Sequence, residues 1–164
     1  MSCGICALHG DAAQLDAIEI WRSQHWLLRH HSLPSALLGW CCLDARRHLS
    51  GPIEFSTDEA QEWGFVVQRA SQLVRDLTGC DRVYAIAFGE GAHHLHLHLI
   101  PRHAKDQQTA AWAVADHYRA VAAGQRLAAD PTAVLSWIRQ ARAEATKKGA
   151  ILNHGLIAQL HPQP

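Results

Sequence analysis

Between His94 and Ile100 the chain alternates histidine with leucine, His94-Leu95-His96-Leu97-His98-Leu99-Ile100, and then closes with Pro101-Arg102. A period of two belongs to a strand, in which successive side chains leave opposite faces of the backbone. Leu95, Leu97 and Leu99 therefore share a face that can pack on a core. His94, His96 and His98 share the other, with successive Cα atoms of that row about 6.7 Å apart. Imidazole is the one side chain whose ordinary pKa, roughly 6.5, lies near neutrality. One histidine on a wet strand face needs no function. Three at i, i+2 and i+4 fit a nucleophile with acid–base partners, or a metal site built on His-x-His.

Flanking segments place this strand in a sheet. Ile18–Trp21 and His25–Arg29 are short, aromatic and β-rich and predict a strand pair. Leu37–Leu43 predicts a third, buried strand and Val83–Phe88 a fourth, joined by Gly89-Glu90-Gly91 to the histidine strand in a hairpin. Ser56 with Glu59 three residues on makes a capping box, and Ala60, Trp63, Val67, Ala70, Val74 and Leu77 form an apolar helical stripe that Gly79 ends. Beyond Arg102 the chain reads as helical, over Thr109–Ala123 and again over Thr132–Lys148, where Asp130-Pro131 supplies an N-cap and a proline at the first position. The tail to Pro164 reads as loop. The order β-β-β-α-β-β-α-α predicts an α+β class, a five-stranded antiparallel sheet with helices on one side.

At 164 residues with a formal charge of zero, the chain fits one domain with a sizeable core, and nothing steers it toward nucleic acid or an anionic membrane. No apolar run reaches the roughly 20 residues that a membrane span needs. The cysteines are Cys3, Cys6, Cys41, Cys42 and Cys80. An odd number, behind an N-terminus without the basic and apolar regions of a signal peptide, points to reduced thiols and a cytoplasmic location. Cys3-x-x-Cys6 has the spacing of half a zinc site. Cys41, Cys42 and Cys80 sit among apolar residues and are expected in the core, as are Trp21, Trp26, Trp40 and Trp63. Trp112 and Trp137 are expected to pack. His25, His30 and His31 are expected in solvent, and Arg139, Arg142, Lys147 and Lys148 on a charged helix face.

The His-x-His-x-His-x-x run with apolar residues between, followed by Pro-Arg, resembles the signature of the histidine triad family. The resemblance covers residues 1–105 as a histidine triad domain and implies a HIT-like fold; residues 106–164 lie outside it and are expected to form a helical C-terminal extension packed on the same domain. It implies a hydrolase in which the central histidine, here His96, attacks the α-phosphorus of a nucleotide and water resolves the nucleotidyl-histidine, releasing a nucleoside monophosphate. His98 would contact the phosphate and assist proton transfer to the leaving group, and His94 would support the central ring. Nucleotidyl-transferring relatives usually carry Gln at the third position, so His98 favours hydrolysis. The substrate classes implied are dinucleoside polyphosphates and nucleoside phosphoramidates, and the covalent route requires no catalytic cofactor.

The chain departs from the family just upstream. Where Gly-Gln-Ser-Val is common, Gly89-Glu90-Gly91-Ala92-His93 stands. Substrate contacts are expected from Gly89, Glu90, Gly91 and Arg102, although a carboxylate at Glu90 repels a phosphate. Some bacterial members bind structural zinc through an N-terminal Cys-x-x-Cys, a histidine in a Pro-basic-x-His segment and the first triad histidine. Carried over by position, the ligands are Cys3, Cys6, His48 and His94, with Ala45 where the proline is usual. The family also implies a homodimer. Two other readings remain open here: a non-catalytic nucleotide-binding or sensor protein, and a metal-centred hydrolase with His94, His96 and His98 as ligands.

Overall fold

Five strands form one antiparallel sheet in the order β1-β2-β3-β5-β4, with β1 at Glu19–Arg22, β2 at Trp26–His30, β3 at Cys41–Ala45, β4 at Arg82–Ala87 and β5 at His96–Arg102. The computed structural model describes residues 3–149; the loop expected up to Pro164 lies outside them. Five helices accompany the sheet: α1 (Gly4–Gly10), α2 (Ala12–Ile18), α3 (Thr57–Thr78), α4 (Ala111–Ala122) and α5 (Pro131–Gly149). No helix among the described residues is long and apolar enough to cross a membrane.

Register converts the alternation into two faces. Leu28, Leu43 and Leu97 lie side by side across β2, β3 and β5, and Cys41 lies beside Leu99. This face packs on Val66, Ala70, Leu73 and Val74 of α3 and on Val134, Trp137, Ile138 and Ala141 of α5, forming the main core. The other face carries Arg29, Cys42 and His98 in one row and Leu27, Asp44 and His96 in the next. Helix α3 starts and stops where its sequence dictates. The Ser56 side chain accepts from the Glu59 N–H, the Glu59 carboxylate accepts from the Ser56 N–H at 2.7 Å, and Gly79 closes the helix at φ 66°.

Several expectations need correction. Helices α1 and α2 precede the sheet, and Asp11 caps α2 by accepting from the Gln14 N–H at 3.1 Å. Strand β3 begins at Cys41 rather than Leu37, because Gly39 turns the chain at φ 77° where any Cβ would overlap the Thr78 methyl. Helices cover both faces, since α4 packs Val114 and Val121 on Ile100 and Trp40 of the histidine face. The α3 stripe is rotated, with Val66 and Leu73 buried and Ala60 exposed. Trp112 is 89% exposed rather than packed. Arg142 is no free surface charge: it donates to the main-chain oxygens of Glu19 at 2.6 Å and of Asp16, tying α5 to β1.

Candidate functional site

The histidine row does not behave as one unit. His94 precedes β5, and both its ring nitrogens are committed away from the sheet surface. Its Nε2–H donates to the Ala45 main-chain oxygen at 2.7 Å, which leaves Nδ1 unprotonated and aimed at Cys3 Sγ, 3.5 Å away, and Cys6 Sγ, 3.4 Å away. His48 Nδ1 lies 3.3 Å from Cys6 Sγ. The four donor atoms of Cys3, Cys6, His48 and His94 all fall within 4.8 Å of one another. Zinc bonds of about 2.3 Å to sulfur and 2.0 Å to nitrogen, at tetrahedral angles, separate S from N by about 3.5 Å. The donor set, the spacing and the outer hydrogen bond that fixes the His94 tautomer fit a closed structural zinc site. Burial and the adjacent Cys3 thiol push the Cys6 thiol up, and a dication is what lets two neighbouring thiolates coexist.

His96 is half-buried at the start of β5. Its Nδ1–H donates to the main-chain oxygen of His94 at 2.6 Å, so the neutral ring keeps its lone pair on Nε2. His94 thus supports the central ring through its carbonyl rather than its side chain. His98 lies next along this face, its ring centroid 5.1 Å from that of His96. The Trp40 indole Nε1–H donates to His98 Nδ1 at 3.0 Å, and Cys42 Sγ stands 3.6 Å from the same nitrogen. Burial above all, then the neighbouring His96, His31 and Arg29, drive the His98 pKa down to about 3.

Aromatic rings wall the His98 end. His31 stacks on His98 at 6.2 Å and meets Tyr118 of α4 edge-on at 5.4 Å, while Phe88 approaches His98 from the β4–β5 connection at 5.9 Å. A cleft of about 250 Å³ opens beyond His31 between Leu33, Pro34, Tyr118 and Val121. A depression between Trp21, Phe65 and Arg69 on the helical side is remote from the histidines and holds about 20 Å³, room for one water.

Beside the row, on the same sheet face, lies a charge cluster. Arg29 Nε donates to Asp44 Oδ2 at 2.6 Å, Arg29 Nη2 donates to Asp44 Oδ1 at 3.3 Å, and His9 Nε2 of α1 donates to Asp44 Oδ2 at 3.0 Å. Arg29 and Asp44 are both buried. Burial alone would raise the Asp44 carboxyl, but Arg29 and His9 outweigh it and hold the group below its ordinary value.

No family model matches the chain, and no curated protein matches it by sequence. Solved structures do. A zinc-bound histidine triad family protein from Mycobacterium smegmatis superposes with a TM-score of 0.62 at 21% identity, covering 92% of this chain and 97% of that one. The fold is the histidine triad fold. A hypothetical histidine triad nucleotide-binding protein from Sulfolobus tokodaii strain 7 gives 0.61 at 17% identity over 89% and 95% of the two chains. A histidine triad protein from Bradyrhizobium japonicum gives 0.59 at 24% over 79% and 94%.

Against that fold, the expected site residues sort as follows. Cys3, Cys6, His48 and His94 come together, and His96 and His98 share one face. Gly89, Glu90 and Gly91 lie on the exposed β4–β5 connection. Arg102 is a correction: it lies six residues along the strand from His96, about 20 Å away. There it donates to the oxygens of His103, Asp106 and Thr109, holding the loop after β5. His30 is fully buried rather than in solvent, because its Nδ1–H donates to the His31 oxygen and its Nε2 accepts from the Gly39 N–H at 3.0 Å. His9, Arg29, Asp44, His31 and Tyr118 were not singled out as site residues from the sequence. Alternation alone could have flagged Asp44, a charge inside the apolar strand Cys41–Ala45.

Proposed function

We propose that the protein is a nucleotide hydrolase that acts through a nucleotidyl-His96 intermediate. One observation carries this reading: His96 holds its proton on Nδ1 against the His94 carbonyl, which leaves Nε2 as a nucleophilic lone pair in neutral protein. Nε2 forms a bond to the α-phosphorus while the bond to the leaving group breaks, and the leaving group departs with the electron pair. The ring, now cationic, keeps its Nδ1–H on the His94 oxygen, whose partial negative charge favours that state. Water then attacks phosphorus, the P–N bond breaks, Nε2 recovers its lone pair, a proton passes to solvent and the nucleoside monophosphate leaves.

Structural zinc held by Cys3, Cys6, His48 and His94 belongs to the same reading, and it would pin α1 to the sheet without entering the reaction. A metal-centred hydrolase using the three histidines receives no support, since His94 faces the thiols and its Nε2 is spent on Ala45. The reading includes a homodimer that extends the sheet; β4 ends the sheet with Ala85 and Ala87 exposed. Light scattering measures that mass.

The deciding experiment is intact-protein mass spectrometry under non-acidic conditions after brief mixing with diadenosine tetraphosphate or adenosine phosphoramidate. An adenylyl adduct or AMP release that vanishes in His96→Ala is expected. Folded, zinc-loaded protein that binds nucleotide and yields neither product would instead be a sensor.

A further inference from the structure

The proton inventory around His98 has a chemical consequence. An indole N–H donates and never accepts, so His98 Nδ1, 3.0 Å from Trp40 Nε1, must present a lone pair. The single proton of the neutral ring then sits on Nε2. Adding a second proton at Nδ1 would set N–H against N–H. Trp40 cannot swing aside easily: it is 4% exposed, lies in the cluster of Ala36, Ile100, Val114 and Val121, and meets His31 and Tyr118 at 5.6 and 5.5 Å. Its backbone is fixed on both sides by the Gly39 turn and by the His31 N–H, which donates to the Trp40 oxygen at 2.7 Å.

The remaining groups facing His98 do not offer a compensating charge. Cys42 is a buried thiol, His31 and His96 are imidazoles, and Arg29 is a cation. Asp44, the one anion, is already bonded to Arg29 and His9. Tyr118 reaches His98 only through His31 and Trp40. A neutral imidazole can offer a hydrogen bond through Nε2–H, but surrendering that proton would leave an imidazolate, which is out of reach near neutrality.

We propose that Trp40 is a positioning residue that fixes His98 as a hydrogen-bond donor unable to relay a proton, and thereby restricts the site to leaving groups that depart as anions. This rests on the hydrolase reading above and sharpens its substrate class. A phosphoanhydride leaves as a phosphate oxyanion and needs only hydrogen bonds. A phosphoramidate nitrogen must gain a proton as the P–N bond breaks, and His98 has none to give. The substrate class is therefore dinucleoside polyphosphates and other adenylyl phosphoanhydrides, with phosphoramidates poor.

Two measurements on the full-length, zinc-loaded chain test this. Long-range nitrogen-15 NMR of the imidazoles, assigned by the signals lost in His98→Gln, should show unprotonated Nδ1 and protonated Nε2 that do not titrate between about pH 5 and 8. Trp40→Phe, which keeps a flat ring but removes the donor, should free the ring tautomer, so that a protonated Nδ1 appears alongside protonated Nε2. In parallel, kcat/KM for diadenosine tetraphosphate is divided by that for adenosine phosphoramidate, so that binding of the shared adenylyl group cancels. The wild-type ratio should favour the polyphosphate, and Trp40→Phe should shift it toward the phosphoramidate by about tenfold, a modest share of what general acids contribute. A protonated Nδ1 in wild-type protein overturns the proposal, and this holds even if Trp40→Phe fails to fold. So does a ratio that Trp40→Phe leaves unchanged. Failure of both substrates to react, with the His98 tautomer as described, would instead sink the hydrolase reading and its substrate class, leaving the Trp40 lock standing.

Discussion

His96 stands between two flanks built in opposite ways. Toward the N-terminal end of the row, three separate segments bring Cys3 and Cys6, His48, and His94 around room for one cation. Toward the other end, Trp40, His31, Phe88 and Tyr118 surround His98 with rings. Both flanks hold an imidazole in one orientation. The first does so by donor chemistry, since α1 buries no side chain fully and only Leu8 rests on the core. The second does so by packing, where Val114, Val121 and Ile100 supply the apolar surface. Coordination and packing are interchangeable ways to orient a ring, but they fail differently when disturbed.

The largest expected effect is on the first flank. Cys6→Ser should take the protein from one zinc per chain to none, because structural zinc is worth on the order of 10 kcal/mol to a site of this kind. Elemental analysis reads the metal, and hydrogen exchange should show residues 4–10 losing protection while α3 and β5 keep theirs. Retained zinc, or loss of protection throughout, would break the contrast between a clipped segment and a packed core. On the second flank Trp40→Ala should cost about 3–5 kcal/mol in urea unfolding, since a large buried ring leaves a cavity. Asp44→Asn, which strands buried Arg29 without its anion, should cost about 3–5 kcal/mol as well.

A smaller effect concerns pH. Burial holds the His30 pKa at about 4 against its ordinary 6.5, and its two ring nitrogens are already spent on His31 and Gly39. Above pH 6.5 both folded and unfolded chains are neutral at this ring, and its stabilising contribution is intact. As pH falls below 6.5 the unfolded chain takes up a proton that the folded one refuses, so stability drops by about 1.4 kcal/mol per pH unit until about pH 4. Comparing urea midpoints of wild type and His30→Asn across this range, where metal loss affects both alike, should show a shallower decline in the variant. The smallest effect is Tyr118→Ala, about 1 kcal/mol for a partly exposed ring that touches His31 and Trp40. A larger loss would mean that α4 depends on the aromatic wall more than its own Val114 and Val121 imply.

Period-two alternation and helix caps made the sheet, α3 and α5 legible. The alternation placed Leu95, Leu97 and Leu99 on the core, and Ser56, Glu59, Gly79 and Asp130 marked helix ends that the structure keeps. Helices α1 and α2 were not legible from hydrophobic periodicity because α1 has no buried stripe to reveal. Asp11 with Gln14 three residues on was the available local signal for α2. The alternation of His94, His96 and His98 suggested one row, yet a break in strand geometry before His96 sends the first ring to the thiols. Arg102 misled for a related reason: sequence proximity to the row says nothing about distance along an extended strand. The aromatic wall joins residues 31, 40, 88, 98 and 118, separations that no local pattern encodes.

Helix α1 presents Cys6 to the Cys/His cluster and His9 to the buried carboxylate of Asp44 from a single seven-residue helix. With no fully buried side chain and only Leu8 resting on the core, its docking would lean on the cation and obey mass action. Each tenfold rise in free zinc above the dissociation constant adds about 1.4 kcal/mol to the docked state. The occupancy of Asp44 by His9 would thus track zinc activity in the surroundings, joining the charge balance beside His96 to a quantity set outside the molecule.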